Sequence, residues 1–172
     1  HYRSPLNYSQ ESLEQAQAAL ARMNSSLGNL RFLAKNGADG DMTAEEKASA
    51  DGFAAFRTRF CEAMDDDLNT ADAVSVIFEL VRESNTLAAR PEVTRAYAEA
   101  ALAMMTELCS VLGLGELSDN SSADTEVEEL IAQRQAARKG KNFAEADRLR
   151  DLLRDMGIVL EDTPQGAKWS RK

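Results

Sequence analysis

Between Leu13 and Leu30 the apolar residues Leu13, Ala16, Leu20, Met23, Leu27 and Leu30 fall three or four positions apart. That spacing lines one face of an α-helix, and the stripe leaves water only by packing against others like it. Ser9 stands where a helix cap belongs, and Asn36-Gly37-Ala38-Asp39-Gly40-Asp41 breaks the pattern. Thr43 and Glu46 have capping-box spacing ahead of Phe53, Phe56, Phe60 and Met64, which recur every three to four residues. Asn69 or Thr70 caps a third helix with Val74, Ile77, Phe78 and Val81 on one face. Pro91, in a first helical position with Glu92 behind it, opens a fourth carrying Tyr97, Ala101, Met105, Leu108 and Leu112, which Gly113 or Gly115 closes. Aromatics are only 6% of the chain against 44% hydrophobic residues. A core of Leu, Ala, Val and Met favours packed helices over sheets, so residues 1–115 are predicted to form a helical bundle.

The small polar run from Leu117 to Asp124 reads as a linker, placed at 116–124. Thr125 with Glu128 repeats the capping-box spacing for a fifth helix, which Gly140 stops after Lys139. Asn142 with Glu145 caps a sixth that carries Phe143, Ala146, Leu149, Leu153 and Met156 and ends at Gly157. Ile158-Val159-Leu160 and Ala167-Lys168-Trp169 then read as strands about a turn at Pro164-Gln165-Gly166. The predicted fold is mainly α: an antiparallel helical bundle, then a small domain over 125–172 made of a helical hairpin with a terminal β-hairpin.

Several functions are excluded. No apolar run approaches the roughly 20 residues of a membrane span, and no signal-peptide pattern is present, so a cytoplasmic protein is expected with no membrane partner. Cys61, Cys109 and the lone His1 cannot assemble a set of zinc ligands, and no metal site is predicted. Both cysteines read as small apolar residues within helices. The run Asp65-Asp66-Asp67 lacks the alternating spacing and glycine of a calcium loop and is assigned to helix-end chemistry. No glycine-rich phosphate loop or nucleophile beside a histidine base occurs, so no catalytic residue is assigned. The chain starts without Met, which suggests a fragment of something longer.

The charge pattern is more specific. Net charge is -9, yet from Arg134 onward there are about 10 cationic against 6 acidic residues. An acidic bundle followed by a basic tail confines any nucleic-acid contact to the tail. There Arg138, Lys139 and Lys141 can hold phosphates, and Arg138 can also fork onto a base edge. Phe143 is either a core residue or a stacking platform for an unpaired base. Asp147, four residues on, shares its face, and its carboxylate would select base edges that offer N–H groups. Asp162 could do the same from the hairpin, while Trp169 reads first as a core anchor and second as a base contact. The competing reading is a helical protein–protein interaction module, with Phe143 to Met156 offering an amphipathic face to a partner helix.

Three stretches carry a resemblance: His1-Tyr2-Arg3-Ser4-Pro5-Leu6-Asn7-Tyr8-Ser9, Ala63-Met64-Asp65-Asp66-Asp67-Leu68-Asn69-Thr70, and Arg138 to Trp169 with its Gly-Ile-Val-Leu-Glu-Asp-Thr-Pro-Gln-Gly run. In this order they resemble the C-terminal portion of bacterial cysteinyl-tRNA synthetases, which are class I aminoacyl-tRNA synthetases. The resemblance implies a parent enzyme that activates cysteine with ATP and Mg and transfers it to the 3′ end of tRNA(Cys). An upstream catalytic domain bearing one zinc would do that work, so the fragment alone is expected to be inactive and to hold no cofactor. Residues up to Gly115 resemble the family's helical anticodon-binding domain, which supports the tRNA stem side, and the end resembles its anticodon-reading domain. Carried over by motif, contacts with the anticodon stem-loop fall on Arg138, Phe143, Asp147 and Asp162, with Lys139, Lys141 and Trp169 as additional candidates. Family members often have Trp where Phe143 stands; Phe keeps the stacking face and loses the indole donor.

Overall fold

Ser9 ends the extended entry: its side-chain oxygen accepts the amide of Ser12 at 3.2 Å and starts α1 (Gln10–Asn36). The computed structural model describes residues 5–115, 121–163 and 166–171, so the turn expected at Pro164-Gln165 lies outside the described residues, as do Leu117 to Asn120. Next come α2 (Ala44–Asp65), α3 (Thr70–Ala88) and α4 (Arg95–Val111). Each of α3 and α4 packs on both α1 and α2 as well as on the other, so the pair joins the outer two helices. Leu30, Phe53, Ile77, Leu80, Tyr97 and Met105 fill the middle of this core. The chain is mainly α, as its periodicity predicts.

The apolar stripe of α1 is buried only from Met23 onward, through Leu27, Leu30 and Leu33; Leu13 and Ala16 are exposed. Length explains this. The 27 residues of α1 extend about 40 Å, whereas the 17 of α4, its main neighbour, reach about 26 Å. The buried face of α3 is broader than the Val74-Ile77-Phe78-Val81 stripe and includes Ala73, Val76, Leu80 and Leu87, with Phe78 half-buried at its edge.

One buried carboxylate fixes two helix starts. Glu46, only 4% exposed, accepts the amides of Thr43 and Thr94, each at 2.8 Å, and the Thr94 hydroxyl at 3.1 Å. Thr43 is the N-cap of α2, and Thr94 is the N-cap of α4, accepting the Tyr97 amide at 3.2 Å. The fourth helix therefore begins at Arg95, and the start expected at Pro91 is corrected. Residues 93 and 94 are held extended instead, with the Ala38 amide donating to the Val93 carbonyl and the Arg95 amide to the Ala38 carbonyl. Gly37 makes this approach possible, because a Cβ there would meet the Leu33 and Val93 carbonyl oxygens at 2.7 and 2.9 Å. Around the outside, Arg57–Glu107, Arg59–Glu79 and Arg90–Glu45 are exposed ion pairs that contribute little each.

Chain contacts divide the molecule into two units, 1–117 and 118–172. In the second, α5 (Ser121–Lys139) packs along α6 (Phe143–Asp155), and β1 (Ile158–Thr163) follows against α6 and pairs antiparallel with β2 (Gly166–Arg171). The fifth helix begins four residues before the Thr125 cap position, since Ser121 to Asp124 are helical. Gly157, at φ 75°, turns the chain from α6 into β1, a conformation open to glycine without strain. Val127, Ile131, Leu153 and Ile158 form the unit's core, with Leu160, Ala167 and Trp169 packed against it.

Burial alone would push the Glu46 carboxyl up, but its hydrogen bonds to Thr94 and Thr43 outweigh that and hold it below the ordinary 4.5. A lowered folded-state value means the carboxylate stabilises the bundle fully above about pH 4.5 and loses that contribution as pH falls through the folded value. Glu46→Gln is therefore expected to cost about 1–3 kcal/mol at neutral pH and to flatten the acid limb of the stability curve. Urea unfolding between pH 3 and pH 7, about the range in which carboxyls titrate, measures both; an unchanged midpoint at neutral pH would contradict the double-cap role.

Candidate nucleic-acid interface

The turn between α5 and α6 is built by backbone hydrogen bonds. The Gly140 amide donates to the Ala136 carbonyl at 2.9 Å, Lys141 to Arg138 at 3.0 Å, and Asn142 to Ala137 at 2.8 Å. The last two are the paired bonds that close a helix when the residue after its end is left-handed. That residue is Lys141, at φ 57°. Glycine is usual there, since a Cβ in this region costs about 1–2 kcal/mol. Asn142 then starts α6 by accepting the Glu145 amide at 3.3 Å, as its spacing predicts.

This turn groups cations at one end of the small unit. Arg138 and Lys139 lie exposed in the last turn of α5, and Lys141 is exposed in the connection. The first amides of α6 follow directly, and a helix N-terminus favours negative charge. Phe143, the first residue of α6, is 64% exposed. The core of the unit is filled from the adjacent face of α6 by Ala146, Leu149 and Leu153, and the exposed Phe143 is not a core residue. The protein-interaction reading offered the face from Phe143 to Met156 to a partner helix; the unit's own fold covers Ala146, Leu149 and Leu153 of that face and leaves Phe143 and Met156 exposed.

Asp147, one turn beyond Phe143, is exposed, and its Oδ1 lies 3.5 Å from Arg150 Nη2. Arg138, Lys139, Lys141, Phe143 and Asp147 are thus all exposed and lie within about one helical turn of the α5–α6 connection. Asp162 stands in β1 opposite Ala167, and its side chain lies outside the described residues. Trp169 is half-buried, paired with Leu160 across the hairpin and packed on the unit's core, which fits its first reading as an anchor.

Elsewhere the titratable groups offer little chemistry. Burial pushes the Cys109 thiol up to about 11, so it stays protonated and packs as a small apolar group 3.5 Å from the Met23 sulfur. Cys61, by contrast, is exposed. Among the described residues no three His, Cys, Asp or Glu side chains group as metal ligands, and no helix is long and apolar enough to cross a membrane.

Comparison with known proteins follows the same division of the chain. Residues 59–116 match the DALR domain family, and residues 121–169 match the cysteinyl-tRNA ligase anticodon binding domain family. Over 172 residues, 99% of the chain, the sequence is 49% identical to a cysteine--tRNA ligase of Symbiobacterium thermophilum. Over 171 residues, again 99% of the chain, it is 42% identical to a cysteine--tRNA ligase of Lachnospira eligens. The chain spans 36% of the length of each of these relatives.

Relieving the left-handed strain at Lys141 has a defined consequence. Lys141→Gly is expected to stabilise the terminal unit by about 0.5–1 kcal/mol, after allowing for the greater freedom of glycine in the unfolded chain. Thermal melting of residues 118–172, followed by an NMR probe within the chain, would register a rise; a fall would contradict the backbone assignment.

Proposed function

We propose, for a chain that is the DALR and anticodon-binding region of a cysteinyl-tRNA synthetase-like protein, that its terminal unit reads the anticodon of tRNA(Cys). The observation that carries the reading is the exposure of Phe143 at the head of α6, with Asp147 one turn behind and three cations before it. A flat apolar ring kept in water beside positive charge suits a splayed-out base whose phosphate lies close by. In this reading Phe143 stacks on a base and Arg138 reaches a base edge or phosphate. Asp147 and Asp162 accept N–H groups from Watson–Crick edges. Lys139 and Lys141 add phosphate contacts, and the strain borne at Lys141 favours a functional reason for a cation there. Trp169 backs the hairpin and offers the part of its ring left exposed.

The bundle, with 10 cationic against 17 acidic residues over 1–115, would repel a phosphate backbone over much of its surface, so it serves to support the stem side and carry the reader. The full-length protein, on this proposal, is a cytoplasmic enzyme that activates cysteine with ATP and Mg and transfers it to the 3′ end of tRNA(Cys). An upstream catalytic domain with one zinc would perform that chemistry. The 172 residues alone contribute specificity and no catalysis.

Filter binding with the anticodon stem-loop of tRNA(Cys) tests the proposal. Phe143→Ala is expected to weaken binding roughly 5–150-fold, corresponding to about 1–3 kcal/mol for one stacked base. Asp147→Ala and Asp162→Ala should erode the preference for the cognate anticodon over an altered one. In the full-length enzyme the same two substitutions should raise the KM for tRNA and leave adenylate formation unchanged. Equal loss of adenylate formation, or salt-insensitive association with protein and none with RNA, would overturn the assignment.

A further inference from the structure

We infer that Arg150 and Arg154 continue the RNA-binding surface down α6 as a phosphate track, an extension that rests on the anticodon reading of Phe143 and Asp147. The positions 143, 147, 150 and 154 are separated by four, three and four residues, which places all four side chains along one face of the helix. That face flanks the buried one formed by Ala146, Leu149 and Leu153, and it stays in solvent: Phe143, Asp147, Arg150 and Arg154 are all exposed. It extends over about 16 Å of helix from the aromatic ring to the second guanidinium.

The two cations are loosely held. Arg150 Nη2 lies 3.5 Å from Asp147 Oδ1, and Arg154 Nη2 lies 3.2 Å from Asp151 Oδ1, each pair in solvent at i,i+3. Exposed pairs of this kind exchange partners readily, so a phosphate can take either guanidinium. Moving Arg150 onto a phosphate would also leave the Asp147 oxygen available to a base, which couples backbone binding to base reading at one residue.

Arg148 is the internal control. It sits about 100° or more around the helix from the Phe143 face. Glu145 engages it through two hydrogen bonds, at 3.0 and 2.9 Å, which raises the guanidinium's pKa and lowers the carboxyl's. Its removal changes net charge by the same amount as removal of either track residue.

The salt dependence of binding separates these sites. With the 172-residue chain and the tRNA(Cys) anticodon stem-loop, Arg150→Gln and Arg154→Gln should each lower the slope of log K against log salt by about 0.7–0.9. The ratio of cognate to altered-anticodon affinity should persist in Arg154→Gln. Arg148→Gln should leave the slope as it is in the unsubstituted chain. Equal slope changes in all three variants, or none in Arg150→Gln and Arg154→Gln, would overturn the track while leaving the anticodon reading in place. No saturable binding by the unsubstituted chain would overturn both. Circular dichroism melts of the variants guard against misfolding, since all three side chains are in solvent and their loss should not move the transition.

Discussion

The reversal at the end of α5 is the constraint on which the small unit depends. Two amides, from Lys141 and Asn142, return to the Arg138 and Ala137 carbonyls of the preceding helix turn, a pairing that goes with a left-handed residue at Lys141. The geometry lays α6 back along α5, so that Leu149 and Leu153 fill the core while Phe143 stays at the rim. The same turn gathers positive charge from the α5 side beside the unsatisfied amides of the α6 N-terminus, where the helix dipole adds to it.

The bundle rests on a different device. A single carboxylate, Glu46, terminates two helix starts and joins them to the extended crossing of Ala38 and Thr94. Apolar packing would hold four helices together with some freedom to slide, whereas a buried, fully bonded carboxylate specifies one register. The bundle thereby becomes a rigid acidic support, and its charge leaves the basic tail as the place where an anionic partner is welcome.

Much of this was legible in the residues, for reasons that differ by element. The caps at Ser9, Thr43, Asn69 and Asn142 were visible because a cap needs only one side chain and a fixed spacing, both local facts. The start of α4 was misplaced because Pro91 is a good local signal, and the contact that overrides it comes from Glu46, far away in sequence. Leu13 and Ala16 have perfect periodicity yet lie exposed, since periodicity states which face could be buried and the neighbours' lengths decide how much of it is. Thr125 and Glu128 have the spacing of a capping box, yet Ser121 to Asp124 before them are already helical, so spacing alone puts the start of α5 too late. At the interface, Phe143 and Asp147 could be placed on one face from spacing alone, but whether Phe143 faced the core required the packing of Leu149 and Leu153. The left-handed backbone at Lys141 had no sequence signal, because glycine, the usual marker, stands one residue earlier.

An aromatic ring and its neighbouring charges, at the turn between α5 and α6, are the proposed RNA-contacting surface of this chain. The most direct measurement is an NMR titration of the isotope-labelled 172-residue chain with the anticodon stem-loop of tRNA(Cys). Amide shifts should concentrate on Arg138 to Asp147 and on the neighbourhood of Asp162, with the bundle core around Ile77 and Met105 unmoved. Shifts centred on the bundle, or spread evenly over both units, would contradict it.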